Sequence, residues 1–400
     1  MKLRTLLLTM LVVLPLLAPA PANAARKMEV ATQDDGVFIF NQDIGREAAL
    51  RAARNMGVTH LRLNILWWQA VPASQRNQTA VPSNITYNFS AWDTAIARAR
   101  AYGIKSQLDL AGDPPAYACG SKEVPYECDG RKPNVRLWKH FVSAAASHFR
   151  DTVTRYSLWN EPNWYTWLSP HKKAPLLYRK LVQKGYKAIH RNDSSSEVVA
   201  GELAPHFQPN ISTPPLQFIR EMVCVKKNLK PTRNAKRKCK GKLKFDAFAT
   251  HPYDFEHKPK FRRDNKDEVT ISNLGALGKL LNKLRKKGYI KTKKRFPIYL
   301  TEHGYMVQNP QVKPRRQIPE GRRQRWIVQA WKIAQDTPRI KQMLHYDFVS
   351  PRPGALDGYF DMGLLTSSGT PRGSYFKLGS WIQEAVADRK VKAPGPCSAC

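Results

Sequence analysis

Two glutamates stand where an apolar run meets a turn. Ser157-Leu158-Trp159 leads into Asn160-Glu161-Pro162-Asn163, and Ile298-Tyr299-Leu300-Thr301 leads into Glu302-His303-Gly304-Tyr305. Each run reads as a buried strand, so each carboxylate falls at a strand's C-terminal end. The two are 141 residues apart, a separation of three strand–helix units that sets them on facing sides of one cleft. Cleaving a glycosidic bond requires such a pair: one carboxyl protonates the departing oxygen while the other attacks the anomeric carbon or activates water. The division of labour holds only if the surroundings push the two pKa values apart.

Other chemistries lack their residues. The sequence contains no G-x-G-x-x-G, no Walker lysine loop, no H-E-x-x-H and no G-x-S-x-G, so neither a metal nor an organic cofactor is expected. Aromatic residues crowd the same strand ends: Trp67 and Trp68 after the second strand, and Trp164, Tyr165 and Trp167 after Glu161. Their flat rings suit a pyranose face, Trp164 above all, and they suit core packing equally well.

The elements that position these residues alternate along the chain. Strands are expected near Glu29–Thr32, Val58–Asn64, Ile104–Leu110, Val153–Trp159, Glu197–Leu203, Phe245–Thr250, Pro297–Thr301 and Gln342–Phe348. Helical stripes fall between them. Trp92, Ala95, Ile96 and Ala99 follow a cap at Ser90, and Leu137, Phe141, Ala145 and Phe149 form the next stripe. Leu274, Leu277, Leu281 and Leu284 form another, stopped by Gly288. Eight such units predict an α/β fold, a single (β/α)8 TIM barrel over residues 25–388, with a basic loop insertion and a short tail at 389–400.

Taken together, W-N-E-P and a strand-terminal T-E-H-G-Y resemble clan A of the glycoside hydrolases, the retaining (β/α)8 enzymes that include family 5 cellulases and family 39 β-xylosidases. The resemblance implies that Glu161 is the acid/base, Glu302 the nucleophile, and Asn160 the residue that binds the sugar 2-hydroxyl. Arg62, in His60-Leu61-Arg62-Leu63-Asn64, matches an Arg kept near the nucleophile, and His251-Pro252-Tyr253 matches the clan's H-P-Y, with Tyr253 bonded to the nucleophile. Asp113-Pro114-Pro115 is similar to its Pro-rich exit from strand 3. Strand 8 departs from the pattern, with Tyr346-Asp347-Phe348 near the usual sugar-stacking Trp. The implied activity is retaining hydrolysis of a poly- or oligosaccharide; the alternative is a barrel that binds polysaccharide or anionic envelope without turnover.

The N-terminus reads as an export signal. Lys2 and Arg4 precede an apolar run from Leu6 to Leu17, and Ala22-Asn23-Ala24 has the small-x-small form of a cleavage site, so residues 1–24 are expected to be removed. The run is too short for a membrane span, and no stable membrane insertion is expected. Export implies disulfides among the six cysteines, paired by proximity as Cys119–Cys128, Cys224–Cys239 and Cys397–Cys400.

Sixty-six Lys and Arg against 31 Asp and Glu give a net charge of +35, while 42% hydrophobic residues still provide for a core. Ten cations and no acid lie in Lys226–Lys244, nine and none in Lys279–Arg295. Such blocks are either solvated surface or a site for an anionic cell-envelope polymer. Nucleic acid is not an expected partner, because neither block interleaves aromatics for base stacking.

Overall fold

The computed structural model describes residues 27–120, 122, 128, 131–308, 317–352 and 360–400. The expected export signal lies outside them. Eight parallel strands form a closed barrel: β1 (Glu29–Gln33), β2 (His60–Leu66), β3 (Lys105–Ala111), β4 (Arg155–Leu158), β5 (Glu197–Leu203), β6 (Ala247–Thr250), β7 (Ile298–Leu300) and β8 (Ile340–Tyr346). Each strand pairs with its neighbours in sequence, and β8 closes the ring against β1, with Glu29 opposite Gln342 and Gln33 opposite Tyr346. Every strand is followed by a helix of at least eight residues, from Arg46–Met56 after β1 to Gly373–Ala387 after β8. This is the (β/α)8 barrel that the alternation of strands and stripes leads one to expect.

Local sequence explains the helices. In Val135–His148, Asn134 accepts hydrogen bonds from the first free amides, Arg136 N and Leu137 N, and the stripe from Leu137 to Ala146 is buried. Ser90 is not a cap. It is the first residue of helix Ser90–Ala101, and the side chain that binds its amide is Asn88, at 3.0 Å. Helix Leu274–Lys286 buries the expected leucines and is followed by Gly288 at φ 78°, a conformation open to glycine at little cost. The main core lies between sheet and helices, where Trp67 stacks on Phe141 at 5.5 Å and Trp138 meets Trp159 edge-on at 5.1 Å. Trp67 is therefore a core residue.

The N-terminal end of the barrel is plugged by polar groups. Glu29 on β1 bonds Arg155 on β4 at 2.8 Å, and Gln107 and Gln342 bridge them across the lumen. The C-terminal tail completes this plug. Lys392 reaches Glu29 at 2.8 Å, Val391 pairs with Met28, and Gly395 N donates to Gly103 O. Gly103, at φ 70°, has no room for a side chain, since a Cβ would lie 2.3 Å from Gly395 O.

Two of the three expected disulfides are present, Cys224–Cys239 and Cys397–Cys400. The third is a correction: Cys119 and Cys128 are thiols within hydrogen-bonding reach of each other, not a disulfide.

Burial alone would raise the pKa of Glu29, but Arg155, His60 and Lys392 outweigh it and hold the carboxyl down at about 2. The folded value lies below that of an exposed glutamate, about 4.3. Its stabilisation is therefore complete above about pH 4.5 and lost as pH falls towards 2, a span worth roughly 3 kcal/mol. Glu29→Gln should lower the melting temperature at pH 7 and flatten its dependence on pH between about 4.5 and 2. Thermal melts of both proteins over that range check it.

Candidate active site

The C-terminal ends of the strands converge on one buried guanidinium. Arg62, on β2, is fully buried. It donates to Glu302 Oε1 (2.9 Å), Asp109 Oδ2 on β3 (2.8 Å), Asn160 Oδ1 after β4 (2.9 Å) and Glu202 Oε2 on β5 (3.3 Å), and also to Gln33 on β1. Burial opposes its charge, but Asp109, Glu202 and Glu302 outweigh burial and keep it protonated. Asn160 spends its side-chain oxygen on Arg62, which leaves the amide N–H groups as what it can offer a ligand.

A second cation lies beside the first. His251, the residue after β6, is fully buried; its Nδ1 lies 2.8 Å from Glu161 Oε1 and 3.5 Å from Glu302 Oε2, and its Nε2 lies 2.9 Å from Glu202 Oε2. Burial would lower its pKa, yet the carboxylates Glu302, Glu161 and Glu202 outweigh burial and raise it to about 10. The ring is thus an imidazolium donating both N–H groups. Glu161, His251 and Glu302 bring one oxygen or nitrogen each within 4.8 Å of one another, which is a metal-like spacing. A doubly protonated ring, however, has no lone pair to give a metal.

Glu302 is held from two further directions. Tyr253 donates its hydroxyl to Oε2 at 3.2 Å, and burial keeps that phenol protonated. Burial also raises the pKa of Glu302 itself, with His251 and Arg62 pulling it back. The side chain keeps 10% exposure and that of Glu161 keeps 18%, so both face the open mouth.

Glu161 reaches its place through an unusual backbone. Trp159 and Glu161 have φ of 74° and 38°, a region non-glycine residues seldom adopt. Glu161 N donates to Glu202 O at 2.9 Å. Asn163, buried behind the turn, bonds Ala204 N, Ala204 O and Thr213 O at 2.8 Å each and so fastens the exit of β4 to that of β5.

Six of the seven expected site residues come together here: Glu161, Glu302, Arg62, Asn160, His251 and Tyr253. Trp164 does not join them through its side chain among the described residues. It is half-buried on the turn after Glu161, and its backbone N donates to Glu161 O. Trp68 lies under the Arg76 guanidinium at 4.7 Å, and Tyr165 is exposed.

Sequence reasoning missed Glu202 and Asp109. Glu202 has zero exposure and accepts from Arg62, His251, Ser157 and Thr301. Burial pushes its carboxyl up, but Arg62, His251 and Ser157 hold it down at about 2. Asp109 is the opposite case, raised by burial to about 7 in spite of Arg62. The signal for Glu202 was present, because Val198-Val199-Ala200-Gly201 runs into it as other strands run into Glu161 and Glu302. Glu202→Gln removes one of the two carboxylates bonded to His251, so the pKa of that ring should fall from about 10 towards neutrality. An NMR titration of the His251 ring in both proteins measures the shift.

The comparisons agree with this geometry. A family model described as glycosyl hydrolases family 39 matches residues 27–320, well over half of the chain. No curated protein matches by sequence. Among solved structures, the chain is similar to a family 39 glycoside hydrolase from Bacteroides cellulosilyticus WH2, at 15% identity and TM-score 0.59 over 89% of this chain and 64% of that one. It is also similar to a monomeric β-xylosidase from Caulobacter crescentus CB15, at 16% identity and TM-score 0.56 over 89% and 69%. Xylanase 10B from Thermotoga maritima matches at 13% identity and TM-score 0.56, over 91% and 97%. The chain thus spans about two thirds of the length of the first two of these structures, and at these identities the likeness is one of fold. What assigns the chain is the match that runs from β1 through β7 to the start of the helix at Glu320: the chain belongs to family 39 of the glycosyl hydrolases.

Proposed function

We propose that the protein is an exported retaining β-glycosidase in which Glu302 is the nucleophile and Glu161 the acid/base. The observation that carries this reading is the approach of a Glu161 oxygen to within 4.8 Å of a Glu302 oxygen. Retaining enzymes hold their carboxyl groups about 5 to 5.5 Å apart, while inverting enzymes need about 6.5 to 9.5 Å to admit a water between them.

In the first step the Glu302 carboxylate attacks the anomeric carbon as the bond to the leaving oxygen breaks, and that oxygen takes the proton of Glu161. In the second, water attacks the glycosyl ester, gives its proton to Glu161, and frees Glu302. Arg62 and Tyr253 orient the attacking carboxylate, and His251 aims Glu161. Asn160 donates to the sugar 2-hydroxyl.

The sugar bound on the nucleophile's side is proposed to be uncharged. A cavity of about 430 Å³ beside β1 and β8 is lined by Asp34, Asp35, Asp43 and Asp347 against one cation, Arg352, which already bonds Asp43 at 2.8 Å, with Tyr346 and Phe360 as its rings. Gln33 joins it to the site, since its side chain bonds both Arg62 and Asp35. Burial raises Asp34 to about 7 and Asp35 to about 6, so at neutral pH Asp35 is largely ionised. A uronic acid placed here would meet like charge. Export rests on the expected leader and agrees with the two disulfides, and an anionic cell-envelope polymer is the proposed partner of the basic surface.

Glu302→Ala should abolish turnover. Glu161→Ala should lose about 10²- to 10⁴-fold on substrates with poor leaving groups, the usual share of a general acid. It should recover on activated aryl glycosides with azide, giving a β-azide, and an α-azide from Glu302→Ala fits the same assignment. Azide anomers on the opposite variants reverse the roles. Because Glu302 must be ionised to attack, kcat/KM should fall on the acid side through a pKa above the ordinary glutamate value of about 4.3. A neutral aryl β-glycoside should be preferred over the matching β-glucuronide by about 100-fold, because like charges in close contact cost several kcal/mol.

A further inference from the structure

The two basic blocks are one surface. In the sequence they are separated by β6, the loop after it and the first turn of the helix Leu274–Lys286, but in the fold Leu243 pairs with Ile290 and Lys244 with Lys291 in a small parallel sheet outside the barrel. Two further contacts fix them together. Leu243 N donates to Tyr289 O and Tyr289 OH donates to Leu229 O, both at 3.1 Å, while the Cys224–Cys239 disulfide ties the first block into a compact loop. Buried Arg179 also donates to the carbonyls of Cys239 and Lys240 from the helix behind. All ten cations of the first block are exposed, and all nine of the second except half-buried Arg285. Asp246, two residues beyond the first block, is already engaged by His190 at 2.8 Å and by Val198 N.

The position of this surface follows from the strands. Lys244 precedes β6 and Lys291 precedes β7, whereas His251 and Glu302 follow those same strands. The joined blocks therefore lie at the N-terminal end of the barrel, opposite the site. We infer that this face is a docking surface for a carboxylate-bearing polysaccharide, a polyuronate chain, which holds the enzyme with its mouth turned away. The inference rests on the glycosidase reading only for what the mouth does.

Three observations favour that occupant. The surface is made of fifteen lysines and only four arginines, chiefly point charges suited to a chain of separate carboxylates. None of the exposed large hydrophobic residues among those described falls in either block, so nothing there enters a lipid layer. The cavity at the opposite end carries four aspartates against one arginine that already bonds Asp43, so it disfavours a uronate as substrate. A polyuronate is thus held and not cut.

The test compares the mature protein with two variants, Lys236→Ser/Arg237→Ser/Lys238→Ser/Lys240→Ser in one block and Lys286→Ser/Lys287→Ser/Lys293→Ser/Lys294→Ser in the other. Binding to polygalacturonate is measured by co-sedimentation from low to high salt, beside dextran and vesicles of an anionic lipid at equal charge concentration. Each variant should bind polygalacturonate at least tenfold more weakly at 0.1 M salt, with a shallower salt dependence than the parent. Hydrolysis of a neutral aryl glycoside should be the same for all three proteins, and unchanged when the parent is bound to the polymer. Variants that bind like the parent overturn the joined surface. Tighter binding to vesicles than to polygalacturonate overturns the choice of partner, and inhibition of aryl glycoside hydrolysis by bound polymer overturns the opposite-ends geometry. Absence of hydrolysis by the parent strikes the glycosidase reading alone, since the binding arms do not depend on it.

Discussion

The mouth of the barrel depends on Arg62. One guanidinium without solvent contact bonds side chains from β1, β3 and β5 and from the residues just past β4 and β7, so with β2 itself it ties six of eight strand ends. A buried cation is costly without anions, and buried anions are equally costly without a cation. Neither Arg62 nor its carboxylates would be tolerable alone. Their joint presence fixes where each strand ends and how Glu302 faces the cleft.

His251 extends the same logic to the other glutamate. Its two N–H groups span Glu161 and Glu202, so the acid/base candidate is aimed by a ring that is itself aimed by a carboxylate with no exposure at all. A hydrogen-bonded chain therefore runs from Glu302 through Arg62, Glu202 and His251 to Glu161. The two glutamates are coupled through buried groups as well as across the cleft. Low exposure along this chain makes each link strong and each loss expensive. That explains why the sequence spends Glu202 and Asp109 at positions a packed barrel would otherwise fill with Val or Ile.

The parts legible in sequence were those with a local period or motif. Strand and helix alternation yielded the barrel, β5 at its observed bounds, and apolar runs ending in Glu located both candidate catalytic residues. Glu202 shows the same run, but it points into the barrel because of a feature that the sequence signals only by a glycine within the strand. The pairing of β5 with β6 shifts register between Ala200 and Leu203, with Gly201 at φ 114° and Glu202 at φ 51°. Gly201 has no space for a Cβ, which would lie 2.2 Å from Ala249 O. Such a bulge re-aims one side chain, and only the paired strand reveals it. The tail was equally opaque, since Lys392 finds Glu29 across 363 residues of chain. Cys119 and Cys128 show the limit in the other direction, for nearness in sequence found the pairs Cys224–Cys239 and Cys397–Cys400 but does not by itself decide that two sulfurs bond.

The +35 charge and a carboxylate-rich mouth are compatible because the barrel separates them. Strands of seven residues, rising about 3.3 Å each and tilted as in barrels of this kind, set the two ends roughly 20 Å apart. Exposed charges are screened over about 10 Å at 0.1 M salt. The lysines at the base are then too distant to neutralise Glu302, whose ionisation is set by its burial and, against that, by His251 and Arg62 within a few ångströms. Placing those lysines around the mouth would draw acidic chains into a cavity lined by Asp34, Asp35 and Asp347. At the base they can attract a polyanion without offering it to Glu302.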